Sequence, residues 1–110
     1  MNSTMTDLMT FGTTIAKRRK ELSLSQKQLA ENIRREDGES ISPQYLNDIE
    51  RDRRSPSSEH MVKQFAQVLN LEADHLYFLA GRIPADLLNL KVSPKQIEEA
   101  MVAFRKKLKR

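Results

Sequence analysis

At 110 residues the chain has room for one domain and a short appended segment. Its 38% hydrophobic and 31% charged content allows a small core, the lack of cysteine excludes disulfides and thiolate metal sites, and three glycines with few β-branched runs argue against a sheet protein. The formal net charge is +4, but five of the 19 basic residues (Arg105, Lys106, Lys107, Lys109 and Arg110) close the chain, so residues 1–104 carry 14 basic against 15 acidic side chains and any anion-binding surface must be a local patch.

No apolar run is long enough to cross a membrane, and the N-terminus lacks a signal peptide's apolar stretch; the expected setting is cytoplasmic, with no membrane partner. Residues 1–6 are polar and expected to be loose. From Leu8 onward Phe11, Ile15, Ala16 and Leu22 recur at helical spacing, and Arg19 falls on the same stripe. Arg19 has two readings: it grazes the core edge and snorkels to water, or it is buried against a carboxylate. Ser25 reads as the cap of a second helix beginning at Gln26, with Leu29, Ala30 and Ile33 inside. Gln26 and Lys27 then stand where helix N–H groups favour phosphate; for Lys27 a plain solvent-facing role is the competing reading. Residues 34–40 are polar, with Gly38 marking a helix stop or a turn.

The stretch from Ile41 to Glu50 is the centre of the chain. Ser42 is a good N-cap and Pro43 suits the first helical position. Leu46 and Ile49 share an inner face, which leaves Gln44, Tyr45, Asn47 and Asp48 outside. Such a face of amides and a hydroxyl suits the major groove of DNA; an ordinary amphipathic surface helix is the alternative. Arg51, Asp52, Arg53 and Arg54 form a basic loop closed by Pro56. Ser57 is expected to cap a fourth helix with Met61, Val62, Phe65, Ala66, Val68 and Leu69 inside. A fifth runs from about Ala73 to Ala80, with Leu76, Leu79 and one of Tyr77 or Phe78 inward, and stops at Gly81.

Beyond Gly81, residues 84–88 suggest a helical turn, with Leu87, Leu88 and Leu90 available to pack on the body. Ser93, Pro94 and Gln96 combine a cap, a first-turn proline and a capping box. Ile97, Met101, Phe104 and Leu108 then recur as a two-heptad stripe. A helix this short is marginal alone, so the stripe must pack on its own body, a second copy or another protein. His60 and His75 stand far apart with no cysteine, and no phosphate loop or catalytic triad is present, so no metal, cofactor or enzymatic activity is expected.

Leu24-Ser25-Gln26, Leu29-Ala30, Ile41-Ser42, Tyr45-Leu46, Ile49-Glu50 and Pro56-Ser57 occur in the order seen in the Xre/Cro phage-repressor-like helix-turn-helix family. The resemblance spans about Phe11 to Gly81 and implies an all-α fold of five short helices, here with an extra C-terminal helix. It implies that the second helix crosses the DNA backbone and the Ser42–Glu50 helix enters the major groove. By position, Pro43, Gln44 and Asp48, flanked by Tyr45 and Asn47, fall where the family reads bases. Ser25, Gln26 and Arg51 fall where it holds phosphate; Lys27, Arg53 and Arg54, beside them in the chain, are expected to contact phosphate as well. Arg19 and Glu50 fall where it often has a structural ion pair. The sequence departs twice from the pattern. About six extra residues lie between helices two and three, where an ordinary turn has three or four: either helix two is a turn longer, or the turn bulges, toward DNA with Arg34 and Arg35 or away from it with Glu36, Asp37 and Glu39 facing water. Asp52 also replaces a common glycine.

The expected organisation is a DNA-binding domain over residues 8–81 and a helical extension over 82–110. The expected function is that of a sequence-specific transcription regulator, a repressor acting as a homodimer on double-stranded DNA, with Ile97, Met101, Phe104 and Leu108 as the dimerisation stripe. Two rivals are an antitoxin-like protein whose tail binds a partner protein, and a helix-turn-helix scaffold that no longer binds DNA, to which the net charge of −1 over residues 1–104 points.

Overall fold

A computed structural model describes residues 9–109, which form seven helices and no strand. They are α1 (Phe11–Glu21), α2 (Gln26–Ala30), α3 (Pro43–Glu50), α4 (Glu59–Leu69), α5 (Ala73–Ala80), α6 (Ala85–Leu88) and α7 (Pro94–Leu108). The all-α expectation is met. Leu8, and the residues 1–6 read as loose, lie outside the described residues.

Local chemistry sets most boundaries. The hydroxyls of Thr10, Ser25, Ser42, Ser58 and Ser93 each accept from an N–H in the first turn of the helix that follows. The fourth helix is thus capped by Ser58, one residue later than the expected Ser57. Gly81 ends α5 and Asn70 ends α4, both in the left-handed conformation. The carbonyl of Leu69, left without a helical partner, accepts from Arg18 Nε at 2.8 Å, which ties the end of α4 to α1.

The core lies among α1 to α5. Ile15, Leu29, Ile33, Leu46, Ile49, Met61, Val62, Phe65, Leu69 and Leu76 are fully buried, and Phe11 meets the edge of Phe65 at 5.8 Å between ring centres. Of the pair left open on α5, Tyr77 turns inward and Phe78 outward. Leu22, expected on the inner stripe of α1, is exposed, and Val68 is only half-buried, because each lies at the margin of its helix's packed face.

The long connection between α2 and α3 is a bulge, not a longer helix. Ile33 and Ile41 are both buried, and Ile41 N–H donates to Ile33 C=O at 2.9 Å, so the inserted residues leave and re-enter the core at one point. Between them Arg34 and Ser40 pair as an antiparallel bridge, and Gly38 turns the tip at φ +91°. Gln64 of α4 clasps the base: its Oε1 accepts from Arg34 N–H and its Nε2 donates to Arg34 C=O, both at 2.7 Å. Residues 34–39 are exposed, with the Asp37 carboxyl held below its ordinary range by the Glu39 N–H and then by Arg35.

The expectation for the leucines beyond Gly81 fails. Leu87, Leu88 and Leu90 do not pack on the body but are 53%, 69% and 56% exposed, because α6 is a single turn on a connection that swings away after Gly81. Arg82 anchors the start of that connection by donating to Pro56 C=O at 2.9 Å. No residue of α7 is buried, and it meets the body chiefly where Phe104 lies 6.1 Å from Phe78. No described helix is long and apolar enough to cross a membrane.

Candidate nucleic-acid interface

Helix α3 is held from beneath by Leu46 and Ile49 and by a buried charge. Arg19 and Glu50 are 9% and 8% exposed, and the guanidinium meets the carboxylate in a fork: Nε to Oε2 at 2.6 Å, the second nitrogen to Oε1 at 3.0 Å. The remaining guanidinium nitrogen donates to Leu24 C=O at 2.8 Å. Of the two readings of Arg19, burial against a carboxylate is the one observed. The pair joins α1 to α3 while satisfying both groups, as burial of charge requires.

A second joint lies at the end of α3, between Asp52 and two residues the sequence reading passed over, Thr10 and Gly12. Asp52 takes the left-handed conformation, φ 59°, as expected for a residue in a glycine's place. Its side chain adds something glycine cannot: Oδ1 accepts from Gly12 N–H at 3.0 Å and Oδ2 from the Thr10 hydroxyl at 2.6 Å. The carboxylate thus sits at the N-terminus of α1, where the helix dipole favours it. Gly12 is required there, since a Cβ would press into the carbonyl of Ile49 and lie 2.6 Å from that of Glu50. A glycine in the first turn of an apolar-periodic helix was the available signal.

Held from beneath and at its C-terminal end, α3 turns its other face to solvent. Pro43 and Gln44 are exposed, and Tyr45, Asn47 and Asp48 are half-buried. Gln44 Nε2 donates to Asp48 Oδ1 at 3.1 Å, and the same oxygen lies 3.6 Å from an Arg53 nitrogen. Asp48 is therefore already matched by donors, and Gln44 shows its carbonyl outward. The Arg54 guanidinium lies 5.0 Å above the Tyr45 ring, which covers one face of that ring and leaves its edge and hydroxyl for a ligand. Arg51, Arg53 and Arg54 are exposed and clustered at the end of α3.

At the start of α2, Ser25 Oγ accepts from Gln28 N–H and Gln28 Oε1 from Ser25 N–H, so the serine hydroxyl hydrogen remains free to donate. Lys27 is exposed. The Gln26 side chain, assigned to phosphate from its position, is instead turned inward: Nε2 donates to Asn47 Oδ1 at 3.1 Å and Glu50 Oε1 at 2.9 Å. Glu50, with Arg19 on one side and Gln26 on the other, is what draws it there.

A helix whose apolar side is buried, preceded across a turn by a second short helix and followed by a cationic loop, is the layout of a helix-turn-helix. A family model described as helix-turn-helix matches residues 15–76. The chain belongs to the Xre/lambda-repressor-like helix-turn-helix family. No curated protein matches it. Among solved structures, a chain from one titled SinR protein/SinI protein complex is 23% identical, with a TM-score of 0.51 over 88% of this chain and 96% of that one. That likeness is one of fold. As a member of the family, this helix-turn-helix protein is a DNA-binding transcription regulator.

Proposed function

We propose that the protein is a sequence-specific repressor that binds a palindromic operator as a homodimer, with residues 8–81 as the DNA-binding unit and 82–110 as the assembly segment. The observation that carries this is the division of α3: Leu46 and Ile49 lie wholly in the core, Pro43, Gln44 and Asn47 open outward, and Arg51, Arg53 and Arg54 follow at once. In this reading α3 lies in the major groove, with Pro43 against a thymine methyl and Gln44, Tyr45 and Asn47 at base edges. Asp48 takes its place by holding Gln44 and Arg53. Ser25, Lys27, Arg51, Arg53 and Arg54 hold the backbone, and Gln26 contributes its main-chain N–H while its side chain supports Asn47.

A single recognition helix covers few base pairs, so two copies about a two-fold axis are needed to discriminate one site among a genome's competitors. The stripe of α7 supports a self-complementary interface: Ile97, Met101, Phe104 and Leu108 are 51%, 41%, 43% and 57% exposed, an arrangement that water does not favour and a second copy relieves. A second reading gives the same stripe to another protein. It is favoured by the fold neighbour, whose title describes a complex of two different proteins.

Two substitutions test the division between reading and holding. Gln44→Ala should weaken specific binding by about 1–3 kcal/mol and relax preference at one position. Arg53→Ala should weaken all sequences alike and make the salt dependence shallower by about one unit. Equal scaling of specific and random DNA by both changes would defeat the assignment of α3 to base reading. Co-purification of a different protein in place of a homodimer would favour the second reading.

A further inference from the structure

We propose that Tyr45 is a positioning residue for DNA binding: the face of its ring holds the Arg54 guanidinium ready for one backbone phosphate, and its hydroxyl edge is left free. The inference rests on α3 and the loop after it lying against DNA, and adds how one phosphate contact is prepared before DNA arrives.

The backbone fixes the root of Arg54. After α3 the chain doubles back, with Asp52 N–H donating to Ile49 C=O at 3.0 Å and Arg53 N–H to Asp48 C=O at 2.9 Å. The Asp52 carboxylate is tied to Thr10 and Gly12, and beyond Arg54 the buried Pro56 accepts from Arg82 at 2.9 Å. Pinned on both sides, the loop leaves only the side-chain torsions of Arg54 to be settled. An unheld surface arginine samples many rotamers and gives up that freedom when it meets a phosphate.

Tyr45 settles those torsions. It is half-buried and packs against the core, so its ring is itself held. Arg54 Cζ lies over that ring, 5.0 Å from its centre, within reach of the electron-rich face. Such a contact orients the cation without a carboxylate. Among the described residues Arg54 forms no ion pair, so its full charge and its planar fork of N–H donors remain for a phosphate. Arg53 is the contrast. One of its nitrogens lies 3.6 Å from Asp48 Oδ1, an acceptor with which a phosphate must compete. Two neighbouring arginines are thus oriented by α3, one by a ring that leaves its charge whole and one by an acid that offsets it.

The test is binding of the full chain to random-sequence duplex DNA over a salt series, which reads the phosphate contacts and not the bases. Each variant is first checked for an unchanged melting point. Tyr45→Phe keeps the ring and should bind random DNA as the wild type does. Fluorine atoms added stepwise to that phenylalanine drain its face with little change of shape. They should weaken binding stepwise, by about two- to fivefold in all, the size of an exposed cation–π contact. Arg54→Ala should make the salt dependence shallower by about one unit, and in that background the fluorine series should be flat. Weaker random-DNA binding by Tyr45→Phe would assign the phosphate contact to the hydroxyl and overturn the inference. A flat series with Arg54 present, or the same loss without it, would overturn it too. The wider reading fails separately: a wild type that binds no DNA removes both, whereas independent losses at Tyr45 and Arg54 leave α3 on DNA and remove only the positioning role.

Discussion

Two single residues carry more of this fold than their size suggests. Glu50 is held by Arg19 and Gln26, and at 8% exposure it has little access to water that could replace a lost partner. Glu50→Gln leaves the guanidinium buried without its counter-charge and should cost about 3–5 kcal/mol, read as a lower melting temperature; a melt matching wild type would show the pair to be dispensable. Tyr77 joins α5 to the start of α4, its hydroxyl donating to Glu59 Oε2 at 2.6 Å. Burial, and then the nearby Glu59 carboxylate, push this phenol up from 10.0 to about 12. A raised value means the folded state holds the proton more tightly than the unfolded one. The contribution is therefore complete below pH 10 and is lost as pH rises through about 12. Tyr77→Phe should lower stability by about 1 kcal/mol at neutral pH and flatten the alkaline loss between those values. Urea unfolding at stepped pH measures both; parallel pH curves for the two proteins would contradict it.

At the scale of elements, the connection between α2 and α3 shows how a helix-turn-helix absorbs an insertion. The extra residues form a small hairpin whose ends meet at Ile33 and Ile41, so the two helices keep their relation and the added loop entropy is small. Gln64 supplies the clasp, matching both backbone groups of Arg34 with both ends of one amide. Gln64→Ala should speed amide hydrogen exchange at Arg34 and Arg35 by about tenfold through local opening while changing global stability by no more than about 1 kcal/mol. Unchanged exchange at those amides would mean that the bridge to Ser40 suffices by itself. The exposed Glu36, Asp37 and Glu39 give the hairpin an acidic rim, which supports an orientation away from phosphate.

The whole molecule is broader than its length requires. A compact chain of about this size has a radius of gyration near ~13 Å, against 15.8 Å here. The difference lies in α6 and α7, which reach out from the five-helix core without burying any residue. Cutting the chain after Pro84 should leave a folded domain, since every buried core residue and the Arg82 anchor precede the cut. The truncated protein should sediment as a monomer and bind a palindrome far more weakly than the full chain, because each copy must then find its half-site alone. Persistence of a dimer would move the interface into the five-helix body. A full-length protein that stays monomeric at high concentration would remove the α7 interface altogether.

The sequence by itself determined the main helices, because apolar spacing reports one helix face at a time, and three of their five hydroxyl caps, because a serine or threonine hydroxyl meets an N–H only three residues on; it missed Thr10 and placed the cap of α4 one residue early. It also showed Ser25, Ser42 and Ser93 as caps, the two apolar anchors of α3, and Arg19 as a charge in need of a partner. What only the tertiary structure decided are matters of competition between groups distant in sequence. Gln26 turns away from its expected phosphate because a carboxylate 24 residues on lies within reach. Asp52 is a cap for α1, 40 residues earlier in the chain, because the two helix ends meet where only Gly12 leaves room. Tyr77 turns inward and Phe78 outward because Glu59 offers the phenol an acceptor at the edge of the core. Leu87, Leu88 and Leu90 stay in water because apolar character says that a residue is worth burying, and only packing says whether a surface is there to receive it.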